Sequence, residues 1–240
     1  MKGVILAGGT ASRLRPLTKV VNKHLLPVYN KPVIYYALEK MAQAGIKDVL
    51  ITTGTEYSGE FMNLLRSGKD FGLHIFYEVQ DAPNGLADAV SLAEDFVDHD
   101  KTLVILGDNV FSCDLKSAVE KFDREGTGAK IFAIPMANPN QYGVVEMKGD
   151  QVISIEEKPA KPKSNFVQTG IYLYDNQVFD LIKKLKPSAR GELEITDLNN
   201  LYLQQHQLTC QLMDGWWVDV GTSFDELYRA NKLIFESFKK

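Results

Sequence analysis

The opening stretch, MKGVILAGGTASRLRPLT, constrains the fold more than any other part of the chain. Val4-Ile5-Leu6-Ala7 has the length and apolarity of a buried strand, and it runs directly into Gly8-Gly9-Thr10-Ala11-Ser12, a turn with no bulky side chain to pack. Arg13, Arg15 and, after a short apolar gap, Lys23 follow. Glycines let a backbone turn sharply and approach a ligand with free amides, and nearby cations neutralise an anion's remaining charge. The combination predicts a phosphate site.

Two familiar phosphate loops are excluded. A Walker loop needs Lys-Ser or Lys-Thr after its last glycine, and none is present. A dinucleotide fingerprint spaces its glycines as Gly-x-Gly-x-x-Gly, whereas these are adjacent and Arg13 stands where an apolar helix should begin. Clustered arginine suits a strongly charged triphosphate, because the guanidinium fork binds phosphate oxygens bidentately. A glycine turn with solvated cations is the bland alternative for this segment taken alone.

A chain of 240 residues with 45% hydrophobic and 24% charged residues is large enough for a substantial core. The net charge of −4, without a basic run to offset it, argues against nucleic acid or an anionic membrane as partner. No apolar stretch approaches the roughly 20 residues of a bilayer span, and Met1-Lys2 leads into a strand instead of a signal peptide. A cytoplasmic location is the expectation. Cys113 and Cys210 read as free thiols, and His24, His74, His99 and His206 lack zinc-ligand spacing.

Strands alternate with helices as in a doubly wound α/β sheet. Helices are expected over 32–44, 57–65 and 85–96, and strands over 48–53, 72–79 and 102–106. Gly107-Asp108-Asn109 follows the last of these at once. Ligands of such folds collect at the carboxyl ends of parallel strands, so Gly8-Gly9 and Gly107-Asp108 can be spatial neighbours. Asp108 is then well located to hold Mg²⁺, which takes one or two protein carboxylates with waters and substrate phosphate oxygens. A turn-forming Asp is the alternative. Asp219, in Trp216-Trp217-Val218-Asp219-Val220-Gly221, is the best candidate for a second carboxylate.

The second half reads as a β-rich meander laid over the mouth of the first. Strands are expected over 142–146, 151–158 and 169–174, with Glu156-Glu157-Lys158 able to grip sugar hydroxyls and a phosphate. An exposed charged strand end is the competing reading. Pro187 to Asp197 reads as a loop opening a helix, where Ser or Thr capping competes with ligand contact. A final helix over about 222–238 carries an inward stripe at Leu227, Ala230, Asn231 and Ile234.

Together these blocks resemble the sugar-1-phosphate nucleotidylyltransferases. The likeness runs through LAGGTASRLRPLT, Lys23-His24-Leu25-Leu26-Pro27, the Gln80–Ala87 block, Leu106-Gly107-Asp108-Asn109 and Tyr142-Gly143-Val144-Val145. It continues through Glu156-Glu157-Lys158-Pro159, the Pro187–Asp197 block and Trp217 to Thr222, so it covers nearly the whole chain. Within that family the chain is most similar to the branch that joins dTTP and glucose 1-phosphate. The resemblance implies a Rossmann-like, doubly wound, mixed but mainly parallel sheet with a small β-rich sugar-binding part. It forms one domain with a nucleotide half near 1–110, a sugar-phosphate half near 111–222 and the C-terminal helix.

The resemblance also implies roles. Leu6, Gly8, Gly9, Thr10, Ala11, Ser12 and Arg13 would surround the nucleotide, with Arg13 on the leaving pyrophosphate and Lys23 on the α-phosphate or the incoming phosphate. Gln80 would bond the pyrimidine edge, with Pro83 and Gly85 beside the base. Asp108 and Asp219 would bind Mg²⁺. Asn109, Tyr142, Gly143, Glu157, Lys158, Val167, Thr169, Gly170 and Trp217 would line the hexose phosphate site, with Lys158 on its phosphate. A homo-oligomer, dimer or tetramer, is expected, with small-molecule substrates as the only other partners.

Two departures stand out. Ala11 and Ser12 replace the family's usual third glycine and threonine, and alanine disfavours positive φ by roughly 1 kcal/mol relative to glycine. The sequence also stops soon after Phe238, where longer relatives carry a segment for an effector site and subunit packing. Three functions are therefore weighed. The first is the Mg²⁺-dependent transferase, with UTP or another hexose as the alternative substrates. The second is a silent relative that binds nucleotide sugars, supported only by Ala11. The third is a dinucleotide-dependent oxidoreductase, disfavoured by the missing fingerprint.

Overall fold

Val4 and Leu6 face one side of the first strand and Ile5 and Ala7 the other, and both sides are buried in separate apolar clusters. Strands of this kind need helices on both faces. The computed structural model, which describes residues 1–9, 12–149 and 151–239, supplies them. The first half contains β1 (Lys2–Ala7), β2 (Pro27–Val28), β3 (Lys31–Pro32), α1 (Val33–Gln43), β4 (Asp48–Gly54), α2 (Ser58–Leu65), β5 (His74–Gln80), α3 (Leu86–Ser91), α4 (Glu94–Val97), β6 (Thr102–Leu106) and β7 (Asn109–Phe111). The second contains α5 (Lys116–Glu125), β8 (Ala129–Pro135), β9 (Gly143–Lys148), β10 (Gln151–Glu157), β11 (Phe166–Tyr174), α6 (Val178–Ile182), α7 (Ile195–Gln204), β12 (Leu208–Leu212), β13 (Trp217–Asp219) and α8 (Phe224–Ser237).

Among the described residues one sheet of nine strands runs in the order β10-β9-β11-β6-β1-β4-β5, with β8 and β12 branching from β11. β6, β1, β4 and β5 are mutually parallel, and β11 enters antiparallel beside β6. The core on one face holds Ile34, Leu38 and Met41 of α1 with Phe61 of α2 and Phe122 of α5. The other face is covered by Val90 of α3, Phe179 of α6, and Leu198 and Tyr202 of α7. α8 closes a third cluster over β13 through Ala230 and Ile234, as its apolar stripe predicts.

Four expectations need correction. The segment 85–96 is two helices, because Ala93 N bonds Val90 O in a tight i−3 turn that ends α3. β5 starts at His74, since Gly72 closes a left-handed turn. The second half is no separate meander, because Ile171 to Tyr174 pair directly with β6 and continue the main sheet. No Ser or Thr caps α7, whose N-cap is Glu194.

Candidate active site

The register of the parallel strands puts their carboxyl ends in one row. Ala7 pairs with Thr53, Leu6 with Leu106, and Gly54 with Gln80. Gly8, Gln80 and Gly107 therefore open onto the same edge, and Gly107 N bonds Leu6 O at 2.9 Å. Gln80 is nearly buried there, its Nε2 donating to Gly85 O at 3.2 Å and Asp88 Oδ2 at 2.7 Å. Both partners are acceptors, which fixes the amide's orientation. Gln80 Oε1 consequently faces Gly8 as the remaining acceptor.

Asp108 and Asp219 are 111 residues apart in sequence but adjacent in space, because β7 and β13 pair antiparallel with Asn109 opposite Asp219. Val220 N also bonds Asp108 O at 3.0 Å. Gly221 is required by this approach: a Cβ there would collide with Asp108 Oδ2 and lie 3.3 Å from Asp219 Oδ1. Lys23 Nζ sits 2.5 Å from Asp108 Oδ2. Burial pushes the Asp108 carboxyl up, but the Lys23 charge and hydrogen bond outweigh it and hold the group down at about 2. Asp219 is pushed up to about 6, first by burial and then by the negative charge of Asp108. Burial would lower Lys23, yet the two carboxylates raise it. Lys23 thus faces two carboxylates, Asp108 buried and Asp219 half-buried, which are hard oxygen donors of the kind a divalent cation takes.

Asn109 locks this cluster to the next. Its Nδ2 donates to Asp108 Oδ1 at 3.1 Å, while its Oδ1 accepts from Trp217 Nε1 at 2.7 Å and Gly170 N at 3.0 Å. With every polar atom engaged and no exposed surface, Asn109 is a clamp within the protein.

Two chambers meet at this point. The first, about 250 Å³, is bordered by Leu6, Gly8, Gly9, Gln80, Pro83 and Gly85, with Lys23, His24 and Asp108 at its base. The second, about 180 Å³, is bordered by Arg13, Tyr142, Gly143, Glu157, Lys158, Thr169, Gly170 and Trp217. Leu86, Leu106, Glu192 and Asp219 belong to both walls. In the second chamber Lys158 Nζ lies 3.2 Å from Glu157 Oε1, and Tyr142 packs edge-on against Trp217 with ring centres 5.5 Å apart. Lys158 itself has φ +45°, a left-handed conformation that is uncommon for a residue with a Cβ and clusters at functional sites.

The structure therefore gathers most of the expected residues, divided between the chambers. Arg13 borders the second, anchored by the buried Leu14 beside it. Val167 is buried in the core and pairs with Ile134 and Val144. Ser12 is exposed at the start of a short 3₁₀ turn, and Thr10 and Ala11 lie outside the described residues. Sequence reasoning passed over Asp88, His24 and Gln168, and gave no role to Arg190, Glu192, Glu194 or Thr196. Arg190 Nη2 lies 2.8 Å from Glu194, 3.3 Å from Glu192 and 3.8 Å from Glu157. The signal for Gln168 was a polar side chain interrupting the apolar strand FVQTGIYLY.

Residues 2–237 match the nucleotidyl transferase family. The chain belongs to that family. The glucose-1-phosphate thymidylyltransferase of Neisseria meningitidis is 46% identical over 98% of this chain and 82% of its own length. That of Mycobacterium tuberculosis is 45% identical, with the same coverage. A Bacillus anthracis protein provisionally named a glucose-1-phosphate thymidylyltransferase, crystallised with sucrose, is 52% identical with a TM-score of 0.93, covering 97% of this chain and 94% of its own. UDP-glucose pyrophosphorylase with UDP-glucose shares the fold at TM-score 0.86 and 23% identity, over 98% of both chains. In open α/β sheets ligands bind outside the carboxyl ends of the strands, which is the edge where the two chambers open. No helix among the described residues is long and apolar enough to cross a membrane.

Proposed function

We propose that this nucleotidyl transferase makes dTDP-glucose and pyrophosphate from dTTP and glucose 1-phosphate. The observation that carries the reading is the pair of chambers joined at Asp219 and Leu106, one with a phosphate-loop floor and the other with cations and a carboxylate. Relatives at 44–46% identity over nearly the whole chain, named for that activity, support the choice of substrates.

The nucleotide occupies the first chamber. Gln80 Oε1 is an acceptor suited to the N3–H of thymine or uracil, and unsuited to the bare N3 of cytosine. The hexose phosphate occupies the second, its phosphate on Lys158 and a hydroxyl on Glu157. A phosphate oxygen of the sugar phosphate attacks the α-phosphorus in line. The new P–O bond forms as the bond to the pyrophosphate oxygen breaks, and the electron pair leaves with pyrophosphate. A phosphate monoester is already a competent nucleophile, so no protein nucleophile is required. The chain's task is to hold two repelling anions together and stabilise charge on the transferring group.

Arg13 and Lys23 carry that stabilisation. Arg13 is near enough for its charge to act on Lys23, so both cations face the junction. Asp108 and Asp219 fit Mg²⁺ as two adjacent carboxylates that supply hard oxygen donors, and the ion when bound would neutralise triphosphate oxygens.

The test is a panel of dTTP, UTP, CTP and ATP against several hexose 1-phosphates, read as pyrophosphate released. Highest kcat/KM for dTTP with glucose 1-phosphate is expected. Preference for another pair would reassign the substrates, and absence of pyrophosphate with every pair would overturn the reading.

A further inference from the structure

Glu157 ends a buried chain of hydrogen bonds that reaches far from the second chamber. Thr196 Oγ1 donates to Glu157 Oε2 at 2.6 Å, and Gln168 Nε2 donates to Thr196 Oγ1 at 2.5 Å. Asn199 Nδ2 donates to Gln168 Oε1 at 3.0 Å, and the Tyr174 hydroxyl donates to Asn199 Oδ1 at 2.7 Å. Tyr174 and Asn199 have no exposed surface, and Thr196 and Gln168 are almost as deeply buried. Three elements are tied together: Glu157 ends β10, Gln168 and Tyr174 lie on β11, and Thr196 and Asn199 lie on α7.

The direction of every bond follows from one end. A carboxylate only accepts, so the Thr196 hydroxyl must spend its single proton on Glu157. The Thr196 oxygen is then left to accept, which requires the Gln168 amide nitrogen. Gln168 Oε1 must therefore accept from Asn199 Nδ2, and Asn199 Oδ1 is left for the Tyr174 hydroxyl. Reversing one link orphans a buried polar atom elsewhere, which is costly away from water. Gly143 permits the arrangement, because a Cβ there would overlap the Gln168 amide.

With Oε2 held in this way, Glu157 Oε1 is the atom left facing the cations, 3.2 Å from Lys158 Nζ and 3.8 Å from Arg190 Nη2. We propose that Tyr174, Asn199, Gln168 and Thr196 are positioning residues that orient Glu157 toward one sugar hydroxyl and so set selectivity among hexose phosphates. The proposal rests on the reading of the second chamber as the sugar subsite. Selectivity of this kind comes from a buried acceptor that loses its partner when the hydroxyl is missing.

Three variants separate positioning from mere support. Thr196→Val removes the hydroxyl at equal volume, and Thr196→Ser restores it. Asn199→Asp introduces a second acceptor-only end, which turns the Gln168 amide so that Thr196 donates inward and Glu157 loses its donor. Calorimetry with dTDP-glucose and dTDP isolates the sugar's contribution without turnover. Thr196→Val and Asn199→Asp are expected to weaken dTDP-glucose about tenfold while dTDP stays within about twofold, with Thr196→Ser close to the parent protein. In turnover, KM for glucose 1-phosphate should rise and KM for dTTP should not. The penalty for one of the monodeoxy glucose 1-phosphates should shrink in Thr196→Val. Equal weakening of both ligands, or failure of Thr196→Ser to rescue, overturns the proposal, as does equal binding of dTDP-glucose and dTDP to the parent protein. If the parent protein releases no pyrophosphate yet shows a sugar-dependent affinity gap that Thr196→Val abolishes, the positioning chain stands and the catalytic reading falls.

Discussion

The two chambers are built by different means. The first is positioned by strand register: the ends of β1, β4, β5 and β6 stop in one row, and Gly8, Gly9 and Gly85 line the space there. The second is made of side chains from a 3₁₀ turn, strands and helices that are distant in sequence, from Arg13 to Trp217. A site set by register comes with the sheet, whereas a side-chain site must be assembled by packing. The junction depends on both, and it shows the largest expected effect. Asp108→Asn removes the charge that pairs with Lys23 and leaves that buried lysine facing Asp219 alone. A loss of roughly 10³ in kcat at saturating Mg²⁺ is expected, near the upper range for one preorganised electrostatic group. Near-normal turnover would mean that the junction is not where the chemistry occurs.

Lys158→Ala probes the assembled chamber alone. A fall of roughly 10² in kcat/KM is expected, carried mainly by KM for the sugar phosphate, with KM for the nucleotide little changed. Equal changes in both KM values would show that the chambers are not separable. Because Lys158 holds φ +45°, Lys158→Gly relaxes the backbone but still lacks the ammonium, so it should be no more active than Lys158→Ala. Recovery in the glycine variant would assign the defect to backbone geometry instead of charge.

The contrast also explains what could be read in advance. The strand Val4 to Ala7, the turn at Gly8-Gly9 and the acid after Thr102 to Leu106 are local patterns, and parallel topology brings them together without further information. Asp219 was legible for a weaker reason, as an acid at the end of a short aromatic strand, and only the β7–β13 pairing explains its proximity to Asp108. α5 and β8 carry local signals of their own, an apolar stripe at Ala118, Val119 and Phe122 and the apolar run Ile131 to Ile134, whereas β12, half-buried to exposed along its length, carries none. Asp88 and Gln168 are not legible as site residues, and Arg190 and Thr196 are legible only within a block that reads as capping or ligand contact. Each acts through specific side-chain hydrogen bonds, Asp88 to Gln80, Gln168 to Thr196, Thr196 to Glu157 and Arg190 to Glu194, and no single-segment periodicity encodes such a contact. Asn109 shows the converse, since a motif position that reads as a ligand contact is engaged wholly by protein groups.

The comparison extends to pH. His24 lies buried at the base of the first chamber, its ring Nδ1 2.7 Å from Asn22 Oδ1. Burial, then the neighbouring Lys23 charge, pull its pKa down to about 3 from an ordinary 6.5. The folded state therefore binds fewer protons than the unfolded chain between those values. His24 makes no demand above pH 6.5, and stability is lost as pH falls from there toward 3. At pH 5 the linkage amounts to about 2 kcal/mol relative to pH 7.5. Unfolding free energies from urea titrations of the parent protein and His24→Gln should diverge by that amount at pH 5 once their difference at pH 7.5 is subtracted. Parallel pH profiles would remove His24 as the source.

The smallest expected effect tests whether the first chamber is as free of side-chain assembly as the contrast suggests. Gln80 offers Oε1 to the base only because its Nε2 is tied to Asp88 Oδ2 and to Gly85 O. Asp88→Ala deletes the shorter of these bonds, leaving the 3.2 Å contact with a backbone carbonyl to hold the amide. A freed amide can turn and present its NH₂ to the chamber, which matches the N3 acceptor of cytosine as well as its native orientation matches the N3–H of thymine. The ratio of kcat/KM for dTTP over dCTP should therefore fall about tenfold, through the loss of one charge-assisted hydrogen bond, while KM for glucose 1-phosphate is unmoved. An unchanged ratio would mean that the backbone carbonyl alone orients Gln80, and the first chamber would then owe its selectivity, like its phosphate floor, to the chain's path and not to a partnered side chain.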